Sequence, residues 1–520
     1  MASFWKIAVP VTCVAVIGAA LFWPLYQKNA AERKLAQAAQ GYRSRAERGD
    51  AQAQYRLGVS YERGLGVPRD YAEAARWFHK AAEQGDAKAQ HGLGYSYAHG
   101  QGVPQDFAEA VRWFRKAAEQ GFAKAQASLG TSYAEGQGVQ QDYAEALQWY
   151  RKAADQGDAS GEYAIGLMYH SGLGLPQNYA EAVRWFRKAA AKGDAWAQLY
   201  LGYCYADGRG VPKDSFEAVR WYRKAADQGD AHAQYALGNM YRHGEGVAKD
   251  DAEAVRWFRK AAEQGDASAQ YGLGYMYRHG KGVWRNNAEG IRWCRKAADQ
   301  GYVLAQYVLG YEYRYGEVLP QNYGEAVRWY RKAADQGYEK AQFDLAFLYY
   351  RAQGVPRDYV QAHMWMSLAA ASATGELQEN SISGRNLVAK EMTPEQIAEA
   401  ERLAREWKPR EHPSTDQENT RDRDALRSLA VQSWRAPLAR WTFVFVVLLA
   451  LPILFVPQHR WEAWVQWTVC AAFCLAFLAH ELLLARHSFL MALGGGGSAI
   501  CAAMAVRAAV RGSKRCVGPG

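Results

Sequence analysis

The chain has 520 residues, a formal net charge of +10, 49% hydrophobic residues and 22% charged residues. That balance excludes a wholly disordered chain, and 15 prolines without a Gly-X-Y period exclude collagen-like sequence. Residues 49–372 hold 39 Lys and Arg against 37 acids, so the basic excess sits beside apolar segments and points to membrane flanks, not to nucleic acid.

The first predicted element is a membrane anchor within 1–29. Ile7–Tyr26 is an apolar run of 20 residues, long enough to span a bilayer. Gly18-Ala19-Ala20 has the small residues of a signal-peptidase site. The apolar run continues through Leu21-Phe22-Trp23, however, which favours an uncleaved anchor over a cleaved signal. Residues 30–48 read as an N-terminal capping helix.

Residues 49–372 then repeat every 36 residues, nine times, each unit opening on a glycine from Gly49 to Gly337. A period in this range predicts a solenoid of helix pairs. In the unit 49–84, Gly49 suits a helix C-terminus and Asp50 a helix N-cap. A first helix, A, follows, with Leu57 and Tyr61 on one face and Gly58 placed for close approach by its partner. Gly64 and Gly66 break it. Asp70 and Glu73 predict a capping box at the start of the second helix, B. Trp77 recurs in every unit and is expected to fill the inter-helix space, with Ala81-Ala82 permitting close stacking. The paired carboxylates are read as caps, not as an acid/base pair.

This unit resembles the Sel-1-like repeat, a relative of the tetratricopeptide repeat. The matching residues are A-x-A-Q-x-x-L-G-x-x-Y, then G-x-G-V-P, then D-Y-x-E-A-x-x-W-[FY]-x-K-A-A-x-Q-G. The resemblance implies an all-α, right-handed solenoid that binds proteins or peptides and carries no catalytic residues. Ala248 and Trp284 replace the loop proline, Cys294 an aromatic and Val318 a loop glycine; these departures suggest a loosened or adapted junction around repeats six to eight.

Past the array, 373–408 reads as C-terminal capping helices. Thr393-Pro394-Glu395-Gln396 supplies an N-cap, a proline at the first helical position and a T-x-x-Q box. Residues 409–440 read as a polar linker and juxtamembrane segment. Residues 441–506 hold two or three transmembrane helices: Trp441–Val456, Trp461–Ala485, and Ser488–Val506, which is a third span or a re-entrant segment. Residues 507–520 form a basic tail. Lys28, Arg33, Lys34 and Arg43 follow the first span, and Arg421, Arg423, Arg427, Arg435 and Arg440 precede the second. The positive-inside rule therefore puts the repeats in the cytoplasm of a bacterial-type inner membrane, the alternative being a periplasmic array behind a cleaved signal.

Candidate chemistry is sparse. His480-Glu481 lacks the second histidine of H-E-x-x-H, since position 484 is Leu484. Cys470 and Cys474 share one helix face as small packing residues, and the seven cysteines have no zinc or disulfide-framework spacing. No catalytic, metal or cofactor site is expected. The informative positions are 7, 11 and 14 of each unit, which share one face of helix A with position 4. In repeats six to eight they are Tyr235, Asn239 and Arg242, then Tyr271, Tyr275 and Arg278, then Tyr307, Tyr311 and Arg314, with His243 and His279 alongside. Stacking would align the arginines into a ladder flanked by tyrosines, suited to an acidic or C-terminal peptide segment in a concave groove. The competing reading is a solvated, partly packed helix face. The expected function is a membrane-anchored scaffold or adaptor for a protein or peptide partner. The alternative is a regulatory or sensory subunit of a membrane complex, coupled through the C-terminal hairpin.

Overall fold

In a computed structural model, residues 32–410 are described, and they are helical throughout. Helix α1 covers 32–47. Nine A–B pairs follow, from α2 (Ala51–Arg63) and α3 (Tyr71–Glu83) to α18 (Glu339–Arg351) and α19 (Tyr359–Ser372). Two more helices, α20 (Gly375–Ala389) and α21 (Pro394–Glu406), lie against the last pair. Each helix packs on its neighbours in sequence, as in a solenoid. No helix among the described residues is long and apolar enough to cross a membrane. The segments expected to do so, 7–26 and 441–506, lie outside the described residues, as do His480, Glu481, Cys470, Cys474 and the basic tail.

Local chemistry explains the unit. Asp50 accepts a hydrogen bond from Ala53 N–H at 2.9 Å and starts α2. Gly64 ends it in the left-handed region, φ 70°. Helix α3 ends in a Schellman motif: Gly85 N–H donates to Ala82 O and Asp86 N–H to Ala81 O, with Gly85 at φ 89°. Asp70 accepts from Ala72 and Glu73 N–H. The predicted capping box is only half made, because Glu73 turns to Arg76 at 2.6 Å. Six further B helices repeat this exposed pair, which contributes little to stability.

The space between A and B is filled by the residue after the tryptophan, not by the tryptophan itself. Phe78 is buried against Gly58, where a Cβ would lie 2.6 Å from the ring. Phe114, Tyr150, Phe186, Tyr222, Phe258 and Tyr330 sit the same way against their own repeat's glycine. Trp77 is half-buried, and Lys80 Nζ caps its ring at 4.3 Å from the centroid. Trp113, Trp257, Trp329 and Trp365 are more deeply buried.

Buried glutamines bind each unit to the one before it and also to its own last residue. Gln90 Nε2 donates to Ala82 O at 3.1 Å, satisfying the end of the preceding B helix. Gln84 Nε2 then donates to Gln54 Oε1 at 2.7 Å, across 30 residues. The same pairing joins Gln120 to Gln90, Gln156 to Gln126, and Gln228, Gln264, Gln300 and Gln336 to their partners. Repeat four departs. It carries Glu162 and Lys192 at the two positions, and they form an ion pair at 2.8 Å with the Glu162 side chain buried.

The departures in repeats seven and eight repack the fold rather than loosen it. Cys294 removes a ring, and Gly290 replaces the usual alanine. A Cβ on Gly274 would then lie 2.8 Å from Gly290 O, against 3.2 Å from Ala74 O for Gly58, so this helix pair draws closer. Val318 avoids the positive φ that Gly66 adopts at the same position. At the C-terminal end, Thr393 and Gln396 form the full capping box, Trp407 packs edge-on to Trp365, and Arg410 N–H donates to Asp335 O at 2.7 Å.

Candidate interaction face

The nine expected groove residues lie on α12 (Ala231–His243), α14 (Ala267–His279) and α16 (Val303–Tyr315), and all nine are half-buried. Each position-14 arginine reaches forward onto the next A helix, so the three successive repeats are in side-chain contact. Their partners differ. Arg278 meets Glu312 at 2.5 Å, with Glu312 fully buried. Arg314 meets Asp344 at 2.5 Å and lies over the Phe347 ring at 4.9 Å. Arg242 lies over the Tyr275 ring at 5.3 Å, and its guanidinium reaches His243 Nε2 at 3.0 Å. Two of the three arginines are therefore already neutralised within the chain. Burial pushes the Glu312 and Asp344 carboxyls up from their ordinary range, and the facing guanidiniums oppose that shift.

The tyrosines show the same asymmetry. Tyr271 packs on Tyr302 at 5.3 Å between ring centroids, and Tyr307 on Tyr338 at 5.1 Å. Tyr302 and Tyr338 stand where six other repeats have the capping aspartate, and neither makes a side-chain cap bond. Tyr235 is followed at that position by Asp266, which caps α14 and meets His232 at 3.1 Å. Tyr275 and Tyr311 pack on His279 and Tyr315 of their own helices. Asn239 is half-buried on the same face of α12. The junction of repeats six and seven thus gives Arg242 a ring where the next two junctions give their arginines a carboxylate, and faces Tyr235 with the Asp266 position where they set a tyrosine ring.

Glu312 and Asp344 were not singled out in the sequence. Aligning the nine units would have found them: Glu312 is the sole acid at position 12 and Asp344 the sole acid at position 8. Among the described residues no group of His, Cys, Asp and Glu could hold a metal ion. Burial pushes the Cys204 and Cys294 thiols up to about 12, which makes them inert packing groups.

Nine consecutive matches to the model of the Sel1 repeat cover 51–86, 87–122, 123–158, 159–194, 197–230, 231–266, 267–302, 303–338 and 339–373. The chain belongs to the Sel1 repeat family. Eight of these windows open two residues after the glycine, and the fifth opens four residues after Gly193. Among solved structures, a protective antigen of uropathogenic Escherichia coli with the same repeat fold is 35% identical, with 78% of this chain and 92% of that one covered and a TM-score of 0.40. A Sel1 repeat protein from Oxalobacter formigenes is 36% identical, covering 59% and 89%, with a TM-score of 0.45. No curated protein matches the chain. Repeats of this kind are general protein-interaction scaffolds and typically non-enzymatic.

Proposed function

We propose that this Sel1 repeat protein is a membrane-anchored scaffold that captures a protein or peptide partner on its A-helix face at repeats six and seven. The A helices would line the concave side of a right-handed superhelix, with the array on the cytoplasmic side of a bacterial-type inner membrane. The basic flanks of the apolar segments support that orientation. The observation that carries the binding site is the open junction around Tyr235, Arg242 and Tyr275. Here a guanidinium lies over an aromatic ring and, among the described residues, no carboxylate is paired with it. Arginine and tyrosine together suit a carboxylate flanked by apolar side chains. Arg278 and Arg314 belong to the scaffold of this site rather than to its contact surface.

The test is selection of peptides from a displayed library on the purified full chain. Peptides bearing an Asp, Glu or terminal carboxylate are expected, with Arg242→Ala weakening them about tenfold, the effect of one charged hydrogen bond. The unfolding midpoint of that variant should not move. Selected peptides that bind Arg242→Ala as tightly as the parent would sink the proposal. Arg278→Ala is a poor probe, because it strands the buried Glu312.

A further inference from the structure

Trp284 is 95% exposed and Phe216 77% exposed, far above the other exposed large apolar residues described. Trp284 stands in the A–B loop of repeat seven, where the family pattern has proline. Phe216 is the second residue of the B helix Ser215–Asp227. Around them the loop chemistry changes. In repeats two, three, four and eight the residue before the B-helix cap is glutamine. Gln105, Gln141, Gln177 and Gln321 fold inward and donate to a carbonyl at the end of their own A helix. In repeats five, six and seven that residue is Lys213, Lys249 and Arg285, all exposed, with Lys281 exposed in the same loop as Arg285.

These groups belong to one edge. In repeats five, six and seven the second loop glycine sits on the start of the preceding B helix. A Cβ on Gly246 would lie 2.1 Å from Ser215 O, and one on Gly282 would lie 2.1 Å from Asp251 O. The loop of repeat six therefore abuts Phe216, and the loop of repeat seven abuts the next B-helix start. The acids along this edge are mostly committed. Asp214 and Asp250 cap helices, and Asp207 meets Arg209 at 3.4 Å. Glu245 is the remaining carboxylate in these loops, and Asp251, the first residue of the B helix of repeat six, is half-buried.

We propose that this edge, the A–B loops of repeats five to seven, rests on an anionic lipid surface. An indole on a loop tip with no protein wall beside it is a poor fit for a shaped partner, which would have to supply the whole pocket. A fluid interface moulds itself to the ring. Tryptophan settles at headgroup depth, and lysine and arginine next to it are attracted by acidic headgroups. The edge meets the A-helix face at Lys281, whose Nζ donates to the Tyr275 hydroxyl at 3.3 Å, but the substitutions below leave both residues in place, so each proposal can fail alone.

The test replaces Trp284 with an environment-sensitive fluorescent amino acid in the full chain. The chain is then mixed with vesicles of phosphatidylcholine alone or containing phosphatidylglycerol. The probe reports its own surroundings, however the apolar segments engage the vesicle. A blue shift, with quenching by headgroup-labelled lipid, is expected on anionic vesicles only. Lys213→Glu, Lys249→Glu and Arg285→Glu combined should abolish it, while Arg69→Glu with Arg357→Glu, at the same loop position in repeats one and nine, should preserve it. No shift on anionic vesicles, or an equal shift on neutral ones, overturns the proposal. So does a shift produced without lipid by an oligonucleotide or by polyglutamate, which would assign the edge to nucleic acid or to an acidic protein.

Discussion

Gly58 has no side chain because the Phe78 ring occupies the place where its Cβ would lie. In an exposed helix, Gly→Ala gains about 1 kcal/mol from propensity. Here the sign should reverse. Gly58→Ala is expected to cost about 2 kcal/mol by overpacking, measured by urea unfolding, and Phe78→Leu in the same chain should recover part of the loss. Ala352 is the converse. It takes the left-handed C-cap position at φ 55°, where the other units place glycine. Ala352→Gly should stabilise the chain by about 1 kcal/mol, because the left-handed region penalises any Cβ. Asp194 supplies a pH test. Burial, reinforced by Asp158, lifts its carboxyl from 3.8 to about 6. The folded chain then holds this proton more tightly than the unfolded chain does, so the contribution of Asp194 to stability is greatest below about 4 and is lost as pH rises through about 6. Asp194→Asn retains a capping side chain and should flatten that part of the stability–pH curve.

The element scale separates what sequence could show from what it could not. Helix boundaries were legible because their causes are local: Asp50, Gly64, Gly85 and Thr393 act within a few residues of themselves. The identity of the space-filling ring is not legible in the sequence, which favours the invariant Trp77 over Phe78. Trp77 and Phe78 are adjacent and both aromatic, and only the phase of the helix decides which one faces Gly58. The groove ladder was half legible. Periodicity brought Arg242, Arg278 and Arg314 into register, but their partners come from the next repeat, and Glu312 and Asp344 had no motif to mark them. Repeat four offers a cleaner lesson, since its Glu162 and Lys192 change together where seven other units keep Gln with Gln. Lys192→Gln should cost about 2 kcal/mol, less than a fully buried pair because Lys192 is partly exposed. Adding Glu162→Gln should restore most of it, and a double-mutant cycle by chemical denaturation reads the coupling.

At the scale of the molecule, each unit is stabilised mainly by its neighbours, and the units are not equal. Helix α8 (Ala159–Ser171) buries nine of its 13 residues, including Tyr163, Leu167 and His170 at the three face positions that are half-buried in repeats six to eight. Tyr200 of the next repeat packs on both Tyr163 and His170. Amide hydrogen exchange should therefore be slowest in repeats four and five and faster toward both ends, with α20 and α21 opening first on the C-terminal side. A profile that peaks at either end would contradict this ordering.

The glutamine pairing also bears on how such an array can grow. Both members of each pair, positions 6 and 36, lie inside one glycine-to-glycine unit, and so do Glu162 and Lys192. A gene duplication or deletion that breaks at the glycine codons moves matched partners together. A crossover inside repeat four, between codons 162 and 192, would join Glu162 to a foreign glutamine or leave Lys192 facing one. The first hybrid buries a carboxylate without its cation. Selection against that hybrid would keep breakpoints out of codons 162–192, whereas the seven Gln–Gln units exchange like for like at any in-register crossover, so repeat number could drift through them while the 36-residue period stayed fixed.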